Sequence, residues 1–268
     1  MQTLMDKHKA LFKVEKPIIG CLHLRPPPAT PNWDPEYTIE KHIEDLKREA
    51  KILMDLGFDA AVFANEGDIP YVNQVDPVQV AVFTRIVTEV SKTLTIPFGT
   101  GMMLDPVASF AVAKATGAKF MRGIYHGTQY GDFGEITRNT GNIWRYAKTI
   151  GMNNFPVYTT IEPHGGTYVD TREIEEIYKS ASFNLPINGY ILSGVGKQKP
   201  EDTVYAKLKA FDTKVPLILN SGATPENIKG MLPYIDGVIV GTALKEGHYL
   251  FNPMSYDNAK AFIEAARG

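Results

Sequence analysis

From Pro17 onward the chain repeats one unit eight times: a short, almost continuously apolar run followed by a longer amphipathic stretch. The apolar runs fall at 18–23, 60–65, 96–102, 120–126, 155–161, 189–193, 217–220 and 238–241. Apolar residues without alternation mark strands buried on both faces, as in a parallel sheet covered by helices. The amphipathic stretches fall at 38–56, 77–94, 106–116, 139–150, 173–180, 200–211, 224–232 and 255–267. In the first of them Ile39, Ile43, Leu46, Ala50, Leu53 and Met54 share one helical face opposite Lys47, Arg48, Glu49 and Lys51. Eight strand and helix pairs in about 250 residues predict an α/β fold, a single-domain (β/α)8 TIM barrel. A doubly wound open sheet usually has fewer strands. No low-complexity tract or linker divides the chain, so residues 1–268 read as one barrel domain with 1–16 an N-terminal extension. Leu4, Met5, Leu11, Phe12 and Val14 among the lysines of that extension predict a short helix covering the barrel floor or a partner.

Composition removes several function classes. A formal net charge of −2 and a pI near 6.3 give no electrostatic footprint for nucleic acid. The sequence holds no apolar run of about 18 residues to span a bilayer and no secretory core near its start, so it reads as soluble and cytoplasmic. Peripheral membrane association is not excluded by that reading. Barrels of this kind are commonly oligomeric, which makes a homo-oligomer the expectation. Cys21 is the only cysteine and lies inside an apolar run, so it reads as a packing residue in a reducing compartment.

Catalytic groups of such barrels project from the C-terminal ends of the strands, which makes position relative to those ends the filter. His23, Asn65, Asp68, His126, Glu162 and His164 pass it, with Asp132 in the glycine-rich segment 127–134 that follows the fourth strand. His8, His42 and His248 do not. Histidine carries protons near neutral pH, and the carboxylates are its natural partners. His164 and Asp68 are the preferred acid/base pair, with His23, Asn65 and His126 polarising a carbonyl or hydroxyl. Arg122, inside the fourth strand, would need a carboxylate or a substrate anion if buried. No HxH or HExxH spacing occurs, so the metal-ligand set reads as none. The cofactor is unassigned, a divalent metal being allowed but not favoured. The Pro-rich segment 25–35 reads equally as a lid or as a rigid strap over the rim.

The two closing loops read as a phosphate cradle, made by Asn220, Ser221 and Gly222 after the seventh strand and Gly241 and Thr242 after the eighth. Gly222 lets amides approach an anion, and Thr224-Pro225 opens a helix whose positive end would face it. Lys197, in a glycine-containing segment without Walker spacing, is a weak additional candidate. Together these features point to an enzyme acting by acid/base chemistry on a small phosphorylated metabolite, a sugar phosphate or phosphoribosyl compound. Isomerisation, epimerisation, lysis and hydrolysis all stay open.

The first strand with its loop (PIIGCLHLRPPPATP), the segment NEGDIPY at 65–71, and SGATPENI with DGVIVGTALKEG resemble the BtpA/SgcQ family over about 17–263. The resemblance implies a barrel of the ribulose-phosphate-binding type, a predicted enzyme without a settled reaction. Some cyanobacterial relatives are described as factors that stabilise photosystem I, so it also implies an alternative: a non-catalytic assembly or stability factor for a membrane complex. His23, Asn65, Gly67, Asp68, Pro70, Arg122, Asp132, Gly134, His164, Ser221, Gly222, Thr224, Gly241 and Thr242 match its pattern. Ala64, Gly101 and Leu104 depart from it, which implies a mouth short of one carboxylate and one guanidinium.

Overall fold

A computed structural model describes residues 2–161, 165–193, 202–211 and 214–268. Strands β1 (Ile18–His23), β2 (Ala60–Ala64), β3 (Phe98–Gly101), β4 (Phe120–Gly123), β7 (Val157–Thr160), β9 (Gly189–Ser193), β10 (Leu217–Asn220) and β11 (Gly237–Val240) pair in parallel and close on themselves, β11 returning to β1. The remaining strands lie outside the ring. Helices α2 (Ile39–Asp55), α3 (Pro77–Ser91), α4 (Pro106–Thr116), α5 (Thr140–Thr149), α6 (Ile174–Asn184), α7 (Asp202–Ala210), α8 (Pro225–Met231) and α9 (Tyr256–Arg267) follow the barrel strands in turn. Their starts are written locally. The Thr38 hydroxyl accepts from the Lys41 amide at 3.2 Å, and the Asp105 carboxylate accepts from the Ala108 amide at 2.9 Å with Pro106 as first helical residue.

The alternation along each strand divides the core into two. Ile19, Cys21, Ala60, Val62, Phe120, Tyr158, Ile191, Ile218 and Ile239 fill the barrel interior. Their neighbours Ile18, Leu22, Ala61, Phe63, Met121, Val157, Tyr190, Leu192, Leu217 and Val238 pack outward against the helices. The N-terminal segment is part of this core: α1 (Leu4–Phe12) plugs the floor, with Phe12 edge-on to Phe120 at 5.2 Å. His8 joins it, 2.8 Å from the Tyr158 hydroxyl and 3.0 Å from the Asp236 carbonyl.

The glycine-rich segment after β4 is a strand pair. The chain leaves the barrel at Gly123, earlier than the apolar run to His126 predicts, and β5 (Thr128–Gly131) and β6 (Gly134–Thr137) form an antiparallel hairpin. Strand β8 (Gly166–Tyr168), from the segment after β7, adds to β5. Four-residue strands with one polar face carry too little apolar signal to be read from the sequence, and Gly134 at φ +76° supplies the turn between two of them. Ile136 packs with Tyr71, Leu104 and Ile124 in a small apolar cluster, so this sheet roofs the loops after β2, β3 and β4.

Candidate functional site

The uppermost inward positions of the eight strands are His23, Ala64, Gly101, Arg122, Thr160, Ser193, Asn220 and, one step past β11, Gly241. Each follows from the period-two alternation of the interior residues below it. The small residues among them make room for larger neighbours. A Cβ on Gly101 would sit 3.3 Å from the Arg122 Cγ and 2.5 Å from its carbonyl oxygen, and one on Gly241 would collide with the His23 ring.

Continuing the alternation of Ala60, Val62 and Ala64 brings the next side chain, Glu66, over the same mouth. Its carboxylate pairs with the buried Arg122 guanidinium and accepts from the Tyr71 hydroxyl at 2.6 Å. Burial pushes the Glu66 carboxyl up, but Arg122 foremost, then His23 and Tyr71, pull harder and hold it at about 2. The mouth therefore has its carboxylate and its guanidinium. The departures at Ala64 and Gly101 do not empty it, and Leu104, at φ +62°, is turned into the apolar cluster of the roof. The sequence reading missed Glu66, although the alternation through Ala64 was a signal for it.

His23 lies beside this pair. Burial drives its pKa down to about 3, so the ring is neutral, and its Nδ1 is buried without a partner. His126, also held neutral by burial at about 4, follows β4, three strands round from β1, and is stacked on Tyr168 with ring centroids 6.0 Å apart. His42 lies outside the inward-facing layer. It lines a small cavity of about 30 Å³ together with His23, Glu49 and Lys245, behind the end of β1.

Asn65 and Asp68 form a separate unit. The Asn65 Oδ1 accepts from the Met103 amide at 2.6 Å, its Nδ2 donates to Asp68 at 3.2 Å, and Gln79 of α3 donates to the other Asp68 oxygen at 2.8 Å. These bonds tie the loops after β2 and β3 together, and burial still raises the Asp68 carboxyl to about 6. Because the folded value lies above the unfolded one, Asp68 contributes stability at low pH that is lost as the pH rises through 6. Relative to Asp68→Asn, the wild type should lose about 2 kcal/mol between pH 4 and pH 7. Urea unfolding of both proteins at the two pH values checks this, and parallel stability curves would remove Asp68 from the list of perturbed groups.

Asp132 is exposed at the hairpin tip, its amide donating to the Gly165 carbonyl at 2.9 Å. Glu162, His164 and Lys197 lie outside the described residues. The Pro-rich segment is a strap tied at both ends: Arg25 donates to the Phe251 carbonyl, and Asn32 donates to the Ile69 carbonyl at 3.2 Å.

The loops after β10 and β11 rise from neighbouring strands on one rim. Asn220 pairs with Ile239, so Ser221-Gly222 and Gly241-Thr242 follow the ends of neighbouring strands. Ser221 and Gly222 both have left-handed backbone, φ +74° and +71°. Asn227 donates to the Gly222 carbonyl at 2.7 Å and accepts from the Thr224 amide at 3.0 Å. In a trans peptide the next N–H points opposite to the carbonyl, so the Ala223 amide faces away from Asn227. The Gly222 and Ala223 amides have no acceptor among the described residues. Asn220 donates to Ser193 at 2.9 Å, completing the edge of this rim. Helix α8 is only seven residues long, and Thr242 opens a single 3-10 turn rather than an α-helix, so helix dipoles add little here. Among the described residues no group of three or more His, Cys, Asp or Glu side chains is arranged to hold a metal ion. None of the described helices is long and apolar enough to cross a membrane.

A closed ring of eight parallel strands, with polar side chains gathered at its C-terminal rim, defines the class: a TIM barrel. The chain belongs to the BtpA family, whose model matches residues 14–268. It is 32% identical over 259 residues to the putative sgc region protein SgcQ of Escherichia coli K12, covering 96% of both chains. It is 28% identical to the photosystem I biogenesis protein BtpA of Synechocystis, covering 95% of this chain and 89% of that one. Among solved structures, a tryptophan synthase from M. tuberculosis superposes with a TM-score of 0.60 at 12% identity, covering 99% of this chain and 97% of that one, a likeness of fold.

Proposed function

We propose that the protein is an enzyme that binds a small phosphorylated metabolite across the barrel mouth and moves protons on it. The observation that carries this reading is the pair of adjacent loops at 221–222 and 241–242, with the Gly222 carbonyl drawn back by Asn227 and two neighbouring amides lacking acceptors. Amides held this way favour a dianion without a lysine or arginine. Ser221 and Thr242 add hydroxyls, and the anchored phosphate would orient the rest of the molecule over the mouth. There the neutral His23 ring polarises a carbonyl or hydroxyl by hydrogen bonding, and the Glu66–Arg122 pair fixes the local charge. Asp68, with a pKa raised to about 6, is the acid/base group, and His164 stays its proposed partner.

Ser221→Asp is the direct test, because aspartate tolerates left-handed backbone while placing a negative charge in the cradle. Calorimetric titration with ribose 5-phosphate should show binding by the wild type and at least a hundredfold weakening in the variant, with the melting temperature nearly unchanged. Equal binding by the two proteins would end the phosphate reading. The name of the Synechocystis relative favours a second one, an assembly factor for a membrane complex. A chain of that kind keeps its partner when Ser221→Asp and Asp68→Asn are introduced, whereas an enzyme loses turnover.

A further inference from the structure

The roof sheet carries a buried donor with no hydrogen-bond partner among the described residues. Gln129 is 2% exposed, and its Nε2 has no partner. In an antiparallel pair, residues directly opposite share a face, and Gln129 is opposite both Ile136 of β6 and Tyr168 of β8. That row faces the barrel, since Ile136 is buried in the roof cluster and Tyr168 stacks on His126, while the adjacent Tyr130 is 52% exposed on the other face. Beneath the row, His126 is 7% exposed and its Nε2 is also buried without a partner. Two unpaired nitrogens at one face of a roof are unfavourable unless something supplies their hydrogen-bond partners.

Position in the ring says what that something is. β4, from which the roof springs, lies four strands round from β11, directly across the mouth from the proposed cradle. Eight strands about 4.8 Å apart, tilted about 36°, make a ring roughly 15 Å across. A molecule anchored at 221–222 and 241–242 reaches the roof only if it extends well beyond its phosphate. Arg122 is paired with Glu66, Gln129 is uncharged, and Arg138 at the foot of the hairpin donates to the Ile124 carbonyl and at 3.2 Å to Asn73. A hydroxyl or carbonyl oxygen suits the side-chain amide N–H of Gln129.

We infer that Gln129 and His126 bind the end of the substrate remote from its phosphate, through an uncharged hydroxyl or carbonyl oxygen, which selects phosphosugars of about pentose length over shorter phosphates. This rests on the phosphate reading above and sharpens it into a substrate class. Gln129 is then a specificity-determining residue, carried on a sheet that no barrel strand requires.

The test titrates the full chain with inorganic phosphate, glycerol 3-phosphate and ribose 5-phosphate. The wild type should bind ribose 5-phosphate at least tenfold more tightly than the other two. Gln129→Met, close in shape but without the donor, should weaken ribose 5-phosphate about tenfold and leave inorganic phosphate within twofold. Because a changed roof could disturb folding, the Gln129 side-chain amide is also followed by NMR in the wild type. Its resonances should shift with ribose 5-phosphate and not with inorganic phosphate. Phosphate binding with no preference for ribose 5-phosphate, equal weakening of both ligands in the variant, or an unmoved Gln129 amide overturns the inference and leaves the cradle standing. A wild type that binds none of the three overturns both.

Discussion

Acidifying the protein from pH 7 to pH 5 is expected to remove about half of an ordinary domain's stability. His23, His42 and His126 are held neutral in the fold, their pKa values pushed to about 3, 4 and 4 chiefly by burial. In the unfolded chain each returns to about 6.5. A depressed folded value means that the stabilising contribution is present above the unfolded pKa and is lost as the pH falls below it. At pH 5 each histidine withdraws about 2 kcal/mol, roughly 6 kcal/mol together. Asp68 has the opposite sign and returns about 1 kcal/mol over the same interval. The net loss of about 5 kcal/mol compares with a total of 5–15 kcal/mol for a typical domain. Urea unfolding at the two pH values measures it directly. His42→Gln, outside the inward-facing mouth layer, should recover about 2 kcal/mol of the pH 5 loss. A stability that changes by less than 1 kcal/mol between pH 7 and pH 5 would mean that these rings are hydrated or already paired in solution.

Removing the guanidinium from the mouth should be costly in a way that removing both charges is not. Arg122→Met leaves Glu66 ionised in the barrel with only the Tyr71 hydroxyl for support, and breaking a buried pair from one side typically costs 3–5 kcal/mol. In Arg122→Met with Glu66→Gln the stranded charge is gone, so the double variant should be more stable than Arg122→Met alone. The pH dependence separates this from a packing defect. Without Arg122, burial dominates at Glu66 and its pKa rises above the ordinary value, so the single variant should regain stability as the pH falls through that raised value. The double variant should not. Chemical unfolding of the four proteins of this cycle, repeated at two pH values, provides the measurement. If the single and double variants are equally destabilised at every pH, the pair contributes shape alone.

Much of the mouth was legible because it follows from alternation. His23, Ser193 and Asn220 each end a run whose interior residues are two apart, Arg122 lies two positions past the interior Phe120, and a parallel barrel leaves such residues no other destination. Glu66 obeyed the same rule one step beyond the strand and was passed over because the apolar run had ended. Asn65 and Asp68 were visible as polar residues after β2, but their bonds to Met103 and Gln79 join segments distant in sequence. The roof was hidden for another reason. The three-residue β8 is held by pairing with β5 across 35 to 39 positions, as Tyr168 pairs with Gln129, and no local pattern records that.

The amino-acid order by itself determined the barrel, the sequence of its strands and helices and the family, because burial on both faces of a parallel strand imposes its pattern on every short stretch. The tertiary structure alone decided which carboxylate meets Arg122, that His8 and Phe12 plug the floor, that His42 shares a cavity with His23, and that a roof carries Gln129 over the mouth. Those pairings depend on distances between residues far apart along the chain, which closing the ring brings together and no single segment specifies.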